Sequence, residues 1–149
     1  VSPEELLSAA VLRLRPAAEA AAITVLAEAA ADLPELSVDP QLIGRVLDNL
    51  GDNAVKFSPN GSTIRVWTRP APAGVIFGIS DEGPGIPKDE QDRLFQKFSR
   101  LPNIHGRRGG TGLGLAFCRL VVEAHGGQIS LDSRPSRGST FIVRLPLTG

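Results

Sequence analysis

Apolar side chains recur over residues 3–21 at Leu6, Leu7, Ala10, Val11, Leu14 and Ala18. That 3.6-residue spacing lines one face of a helix, and Ser2-Pro3 supplies its start signal. Ile23-Thr24-Val25 opens a strand, Leu33-Pro34-Glu35-Leu36 is a connection, and Asp39-Pro40 gives an N-cap followed by the proline favoured at the first helical position. The second helix packs through Ile43, Val46, Leu47, Leu50 and Ala54 and runs to about Phe57, where the turn cluster Ser58-Pro59-Asn60-Gly61 stops it. Residues 63–68 alternate Ile64 and Val66 against Arg65 and Trp67, whereas 74–80 is more continuously apolar and therefore more central, with Pro70-Ala71-Pro72-Ala73 read as the join. Beyond it the pattern predicts a short helix over 88–98 started by Pro87, a mobile polar loop over 99–111, and an apolar helix over 113–124 stopped by Gly126-Gly127. A last hairpin pairs 128–133 with 139–145. Helices interleaved with paired hairpins imply an α+β fold, a mixed sheet covered by helices on one face rather than a doubly wound parallel sheet.

Composition narrows the function classes. The chain has 149 residues, one domain's worth, with 42% hydrophobic and 21% charged residues, outside the range of disordered chains. Sixteen basic and sixteen acidic side chains cancel, so the electrostatic footprint of a nucleic-acid binder is absent. A single cysteine, Cys118, excludes an internal disulfide and a cysteine-based metal cluster, and its apolar neighbours place it in the core. Glu19, Glu28 and Asp32 break the Ala-rich stretch, so nothing approaches a membrane span, and no signal peptide is present. The chain opens at Val1 on residues that already read as helical, as a domain taken from a longer protein would.

Four constellations carry chemistry. On the second helix Asn49 and Asn53 are four apart, Lys56 lies three further on and Asp52 sits beside them, so one face presents amides and an ammonium. An amide oxygen suits Mg²⁺ and a lysine suits phosphate, although a solvated helix face has the same composition. Asp81-Glu82-Gly83-Pro84-Gly85-Ile86-Pro87 follows the apolar strand. A carboxylate there can accept from an exocyclic amine, and the glycines admit a flat ring, but an ordinary strand-to-helix turn reads alike. Arg107-Arg108-Gly109-Gly110-Thr111-Gly112-Leu113-Gly114-Leu115 runs a glycine-rich loop into a helix. Its free N–H groups and dipole suit an anion, in a spacing that is neither Walker A nor the dinucleotide fingerprint. Leu94-Phe95-Gln96-Lys97-Phe98 alone is a hydrophobic anchor.

Taken in chain order, the four segments resemble the N, first-glycine, F (Phe95-Gln96-Lys97-Phe98) and second-glycine (Gly110–Leu115) boxes of the GHKL ATPases, specifically the catalytic (HATPase_c) domain of bacterial two-component sensor histidine kinases. The likeness spans about residues 5–146 and includes the closing Gly138-Ser139-Thr140-Phe141 and Leu145-Pro146. It implies a Bergerat-type two-layer α/β sandwich, about five strands on three helices with a mobile ATP lid. It implies ATP and Mg²⁺ as cofactors and protein-histidine kinase activity, with Asn53 and Lys56 as the catalytic pair. Asn53 would hold the metal, Asn49 and Lys56 would meet phosphate, and Phe57 would pack near the purine. Asp81 would bond the adenine amine, Gly83, Gly85 and Ile86 would line its pocket, and Thr140 would reach that pocket through water. Gly110, Thr111, Gly112, Leu113, Gly114 and Leu115 would wrap the triphosphate, with Arg107 or Arg108 touching it from the lid.

The same resemblance implies a single domain over 1–149, with 1–4 left from the link to an upstream dimerisation and phosphoacceptor domain. It implies a response regulator as partner, a monomeric domain within a homodimeric parent, and a cytoplasmic place with no nucleic-acid or membrane contact of its own, whether or not the parent is membrane-anchored. His105 and His125 both lack the sequence context of the family's acceptor histidine and read as surface or capping residues. Gly51 inside the second helix costs about 1 kcal/mol against Ala and invites close packing there. Asp48 directly precedes Asn49, instead of standing four residues before it where the superfamily's hydrolases keep a water-activating glutamate, so efficient ATP hydrolysis is not expected. A serine kinase or other GHKL ATPase, and a degenerate non-enzymatic module, are the rival readings.

Overall fold

Both N-caps expected from the sequence are made. Ser2 Oγ accepts the Glu5 N–H at 3.3 Å and starts α1 (Pro3–Ala20), while Asp39 Oδ1 accepts from Gln41 and Leu42 at 2.9 and 3.2 Å and starts α2 (Pro40–Phe57). The computed structural model describes residues 1–87, 91, 113–133 and 138–147. Its other elements are β1 (Thr24–Ala29), β2 (Thr63–Ala71), β3 (Gly74–Asp81), α3 (Leu113–Ala124), β4 (Gln128–Ser133) and β5 (Ser139–Pro146). The 88–98 helix, the 99–111 loop, Phe95 and Phe98 lie outside the described residues, apart from Gln91, whose N–H donates to the Pro87 carbonyl at 3.1 Å.

The strands form one mixed sheet in the order β1-β2-β3-β5-β4. Among the described strands only β1 and β2 run parallel, with α2 as the crossover that parallel pairing demands. The remaining pairs are antiparallel. Strand alternation sends Ile64, Val66, Phe77, Ile79, Phe141 and Val143 to one face, all buried, and Arg65, Trp67, Ser80, Thr140 and Arg144 to the other. The helices cover the first face, with α2 in the middle touching both α1 and α3. This is the two-layer sandwich the sequence predicts.

Two local features of the sequence acquire reasons. A Cβ on Gly51 would lie 3.1 Å from a Leu14 methyl, so the glycine lets α1 and α2 close on each other, and that contact offsets its helix cost. The expected join at residues 70–73 is shorter than the sequence suggests, because Pro70 and Ala71 continue β2. Pro70 stands opposite Val75, beyond Thr68, the last β2 residue paired with β1, so its missing N–H disturbs no β1 partner. Cys118 is fully buried, as its neighbours imply.

Candidate functional site

The polar stripe of α2 borders the helix's packing face. Ile43, Val46, Leu47, Leu50 and Ala54 are buried, while Asn49 and Asn53 are half-buried and Lys56 is exposed. Asn49 meets the start of α3, where a Cβ on Gly114 would stand 3.7 Å from its Oδ1. One turn later on the same α3 face, the Cys118 thiol donates to the Val46 carbonyl at 3.7 Å and bonds the Asn49 side chain. Burial pushes that thiol up to about 12, against the lowering effect of Asn49, so it stays a neutral donor. Lower on the stripe, burial and then the Asp48 charge raise the Asp52 carboxyl above its usual value, while Lys56 lowers it. Asp48 itself is clamped by Arg13, whose Nε donates to both carboxylate oxygens at 2.9 and 3.0 Å.

At the end of β3 the Asp81 carboxylate is 7% exposed, and Oδ1 accepts backbone N–H bonds from Gly83 at 2.8 Å and Ser139 at 3.3 Å. Burial raises its carboxyl above the ordinary 3.8, and those two N–H groups oppose the rise. Gly83 is a glycine chiefly because of α2: a Cβ there would stand 2.5 Å from the Phe57 carbonyl oxygen. The sequence reading gave it to ligand space, and the structure adds this backbone contact as a reason for glycine. Gly85 has φ +82°. Gly138, also at φ +82°, packs so that a Cβ would collide with the Asp81 carbonyl. The Asp81 turn is therefore trapped between the C-terminus of α2 and the start of β5.

Its outer wall comes from β4 and β5. Ile86 is 2% exposed, and its N–H donates to Ser133 Oγ at 2.7 Å. Thr140 lies elsewhere: its hydroxyl is 2.9 Å from Ser80 Oγ, on the sheet face away from the helices, where the Trp67 indole N–H also reaches Ser80 at 3.3 Å. The residue that shares the face of Asp81 is Ser139, its register partner, buried at 7% exposure. Sequence reasoning missed it, though counting strand phase back from the register with β3 would have chosen Ser139 over its neighbour.

The structure thus brings Asn49 against Gly114, and Phe57 against Gly83, so α2 joins the Asp81 turn to the glycine-bearing start of α3. Lys56 lies on that same helix, and Leu115, the next residue of α3, is buried. Of the remaining predicted residues, the backbone of Leu113 begins α3, while Arg107, Arg108, Gly110, Thr111, Gly112 and His105 fall outside the described residues. A separate groove of 570 Å³ between α1 and α2, lined by Leu6, Arg13 and Gly44 among others, contains neither Asn49, Asn53 nor Asp81. His125 is a cap: its Nε2 accepts the Asp39 N–H at 3.2 Å, which leaves Nδ1 to donate to the Val121 carbonyl at 2.8 Å.

This arrangement has relatives. The sequence profile described as histidine kinase-, DNA gyrase B-, and HSP90-like ATPase matches residues 38–149. The adaptive-response sensory kinase SasA of Synechococcus sp. (strain CC9311) is 40% identical over 126 residues, 84% of this chain and 33% of that protein. The chain therefore spans about a third of the length of that curated relative. Among solved structures, the catalytic domain of the histidine kinase ThkA superposes with a TM-score of 0.86 at 27% identity, over 99% of this chain and 94% of that one. ShkA, solved full-length in complex with AMPPNP, gives a TM-score of 0.89 at 27% identity, over 99% of this chain and 30% of that one. With the fold, the order of the four boxes and these likenesses in agreement, the chain belongs to the histidine kinase-, DNA gyrase B- and HSP90-like ATPase family, as an ATP-binding catalytic domain of the sensor histidine kinase type.

Proposed function

We propose that this domain holds ATP with Mg²⁺ between α2, the Asp81 turn and the start of α3, and donates the γ-phosphoryl group to a histidine on a separate dimerisation domain of its parent kinase. The observation that carries the reading is the double contact of α2, at Phe57 with Gly83 and at Asn49 with Gly114, which puts a base-sized acceptor and an anion-seeking helix start on one scaffold. The similarity to ShkA, solved with AMPPNP, supports a nucleotide as the ligand.

In this reading Asp81 accepts from the adenine amine through its second oxygen, since Oδ1 already takes two backbone N–H groups. Phe57, Gly85 and Ile86 border the base, and Ser139 takes the place first given to Thr140. Asn53 holds Mg²⁺ and Asn49 and Lys56 face phosphate. Gly110, Thr111, Gly112, Leu113, Gly114 and Leu115 enclose the triphosphate, with Arg108 from the lid. The donor set fits the metal. Among the described residues there is no cluster of three or more His, Cys, Asp or Glu, and Mg²⁺ needs none when one protein oxygen, substrate phosphates and waters make up its shell. Bound there, it would neutralise charge on the phosphoryl oxygens, while the protein's share is positioning.

The nucleophile comes from outside the described residues, because both ring nitrogens of His125 are engaged in capping. We assign the acceptor to an upstream dimerisation domain and a response regulator to the next step, in a homodimeric parent whose catalytic domain, residues 1–149, is monomeric and cytoplasmic. No described helix is long and apolar enough to cross a membrane. The test is phosphotransfer from Mg-ATP to a separately supplied acceptor domain: label on a histidine supports the proposal, and label on a serine assigns the chain to another branch of the family.

A further inference from the structure

We infer that Ser133, at the end of β4, is a positioning residue that sets the base-side wall of the site and thereby the preference for adenine. The inference rests on the assignment of Asp81 to the exocyclic amine, and deepens it. Ser133 stands opposite Ser139, and Ser139 opposite Asp81, so the three form one row across β4, β5 and β3. Asp81 receives the Ser139 N–H, and the Ser139 hydroxyl lies 2.7 Å from Ser133 Oγ. Through that hydroxyl, Ser133 also governs a second part of the wall. The Ile86 N–H donates to Ser133 Oγ at 2.7 Å, while Gln91 Nε2 bridges the Ile86 and Ser133 carbonyls at 2.8 and 3.2 Å.

One hydroxyl has one proton and two lone pairs. The Ile86 N–H occupies one lone pair of Ser133, and the Ser133 proton has two acceptors in reach, Ser139 Oγ at 2.7 Å and the Gly138 carbonyl at 3.3 Å. Whichever of the two hydroxyls donates, Ser133 and Ser139 hold each other, and Ser139 lies on the sheet face it shares with Asp81. Ser133 thus fixes the loop at Ile86 and the Ser139 hydroxyl together. Removing its hydroxyl unpairs a buried N–H and releases the Ser139 hydroxyl, and both changes fall on the base side, away from Asn49, Asn53 and Lys56.

The test compares calorimetric affinities for Mg-ATP and Mg-ITP, which differ at the exocyclic amine, in the whole chain and in Ser133→Ala, Ser133→Thr and Asp81→Asn. The expected result is an ATP-over-ITP preference that falls about fivefold in Ser133→Ala, the size of one lost neutral hydrogen bond, and is kept in Ser133→Thr, which retains the hydroxyl. If Ser133→Ala weakens ATP and ITP equally, or neither, while Asp81→Asn still removes the preference, Ser133 is only structural and the inference fails. If Asp81→Asn leaves the preference intact, the assignment of Asp81 fails and takes the inference with it.

Discussion

Asp81 is held by backbone: the Gly83 and Ser139 N–H groups take Oδ1, and β3, β5 and the α2 terminus fix where those groups are. Asn49, Asn53 and Lys56 instead project from a single helix, and Asn49 is steadied by a neighbouring helix through the thiol of Cys118. The base end is therefore part of the fold, and the phosphate end is displayed on it. Changes at the first should disturb stability and ligand together. Changes at the second should touch the ligand alone.

The sharpest break of that contrast is Gly83→Val. Its side chain would meet the Phe57 carbonyl at backbone distance, and the expected loss is about 3 kcal/mol of unfolding free energy, measured by denaturant titration. Next in size is Asp81→Asn, which removes a charged acceptor and should weaken Mg-ATP by about 10- to 100-fold. Stability should move the other way. The folded carboxyl titrates above 3.8 because burial disfavours its charge, so the folded state binds more protons than the unfolded state between 3.8 and the raised value. Wild-type stability accordingly falls as pH rises through that window, and Asp81→Asn lacks the fall. The variant should melt higher than wild type at pH 7, and the gap should close below pH 3.8, as thermal melts across pH would show.

At the displayed end, Asn53→Ala should lower Mg²⁺-dependent ATP affinity about tenfold, by loss of a metal ligand, with the melting temperature unchanged. Smallest of all is Thr140→Val: its hydroxyl faces Ser80 on the far side of the sheet, and binding should stay within about twofold, the range of substitutions remote from a ligand. A larger loss there would put Thr140 back in the pocket.

Where helix periodicity and caps speak, the sequence is explicit: Asp39-Pro40 and the apolar face of α2 locate the stripe of Asn49, Asn53 and Lys56 to the residue. Gly51 was legible as a point of close approach, though not that Leu14 would fill it. Strand phase was harder. In Gly138-Ser139-Thr140-Phe141 two hydroxyls stand side by side, and only the pairing of β5 with β3 decides which one shares a face with Asp81. Pro70 misled for a related reason, since proline reads as a strand end unless the neighbouring strand has already stopped. Ser133 carried no motif at all, because its importance is a matter of which loop folds against it.

Central to the account is that α2, the Asp81 turn and the start of α3 form one nucleotide site. Titration of the chain with ATP in a calorimeter, with and without Mg²⁺, tests it most directly. The expected result is saturable binding at one site per chain that strengthens with Mg²⁺ and weakens about 10- to 100-fold with Asp81→Asn. Absence of binding in the presence of Mg²⁺, or binding indifferent to Asp81, would contradict it.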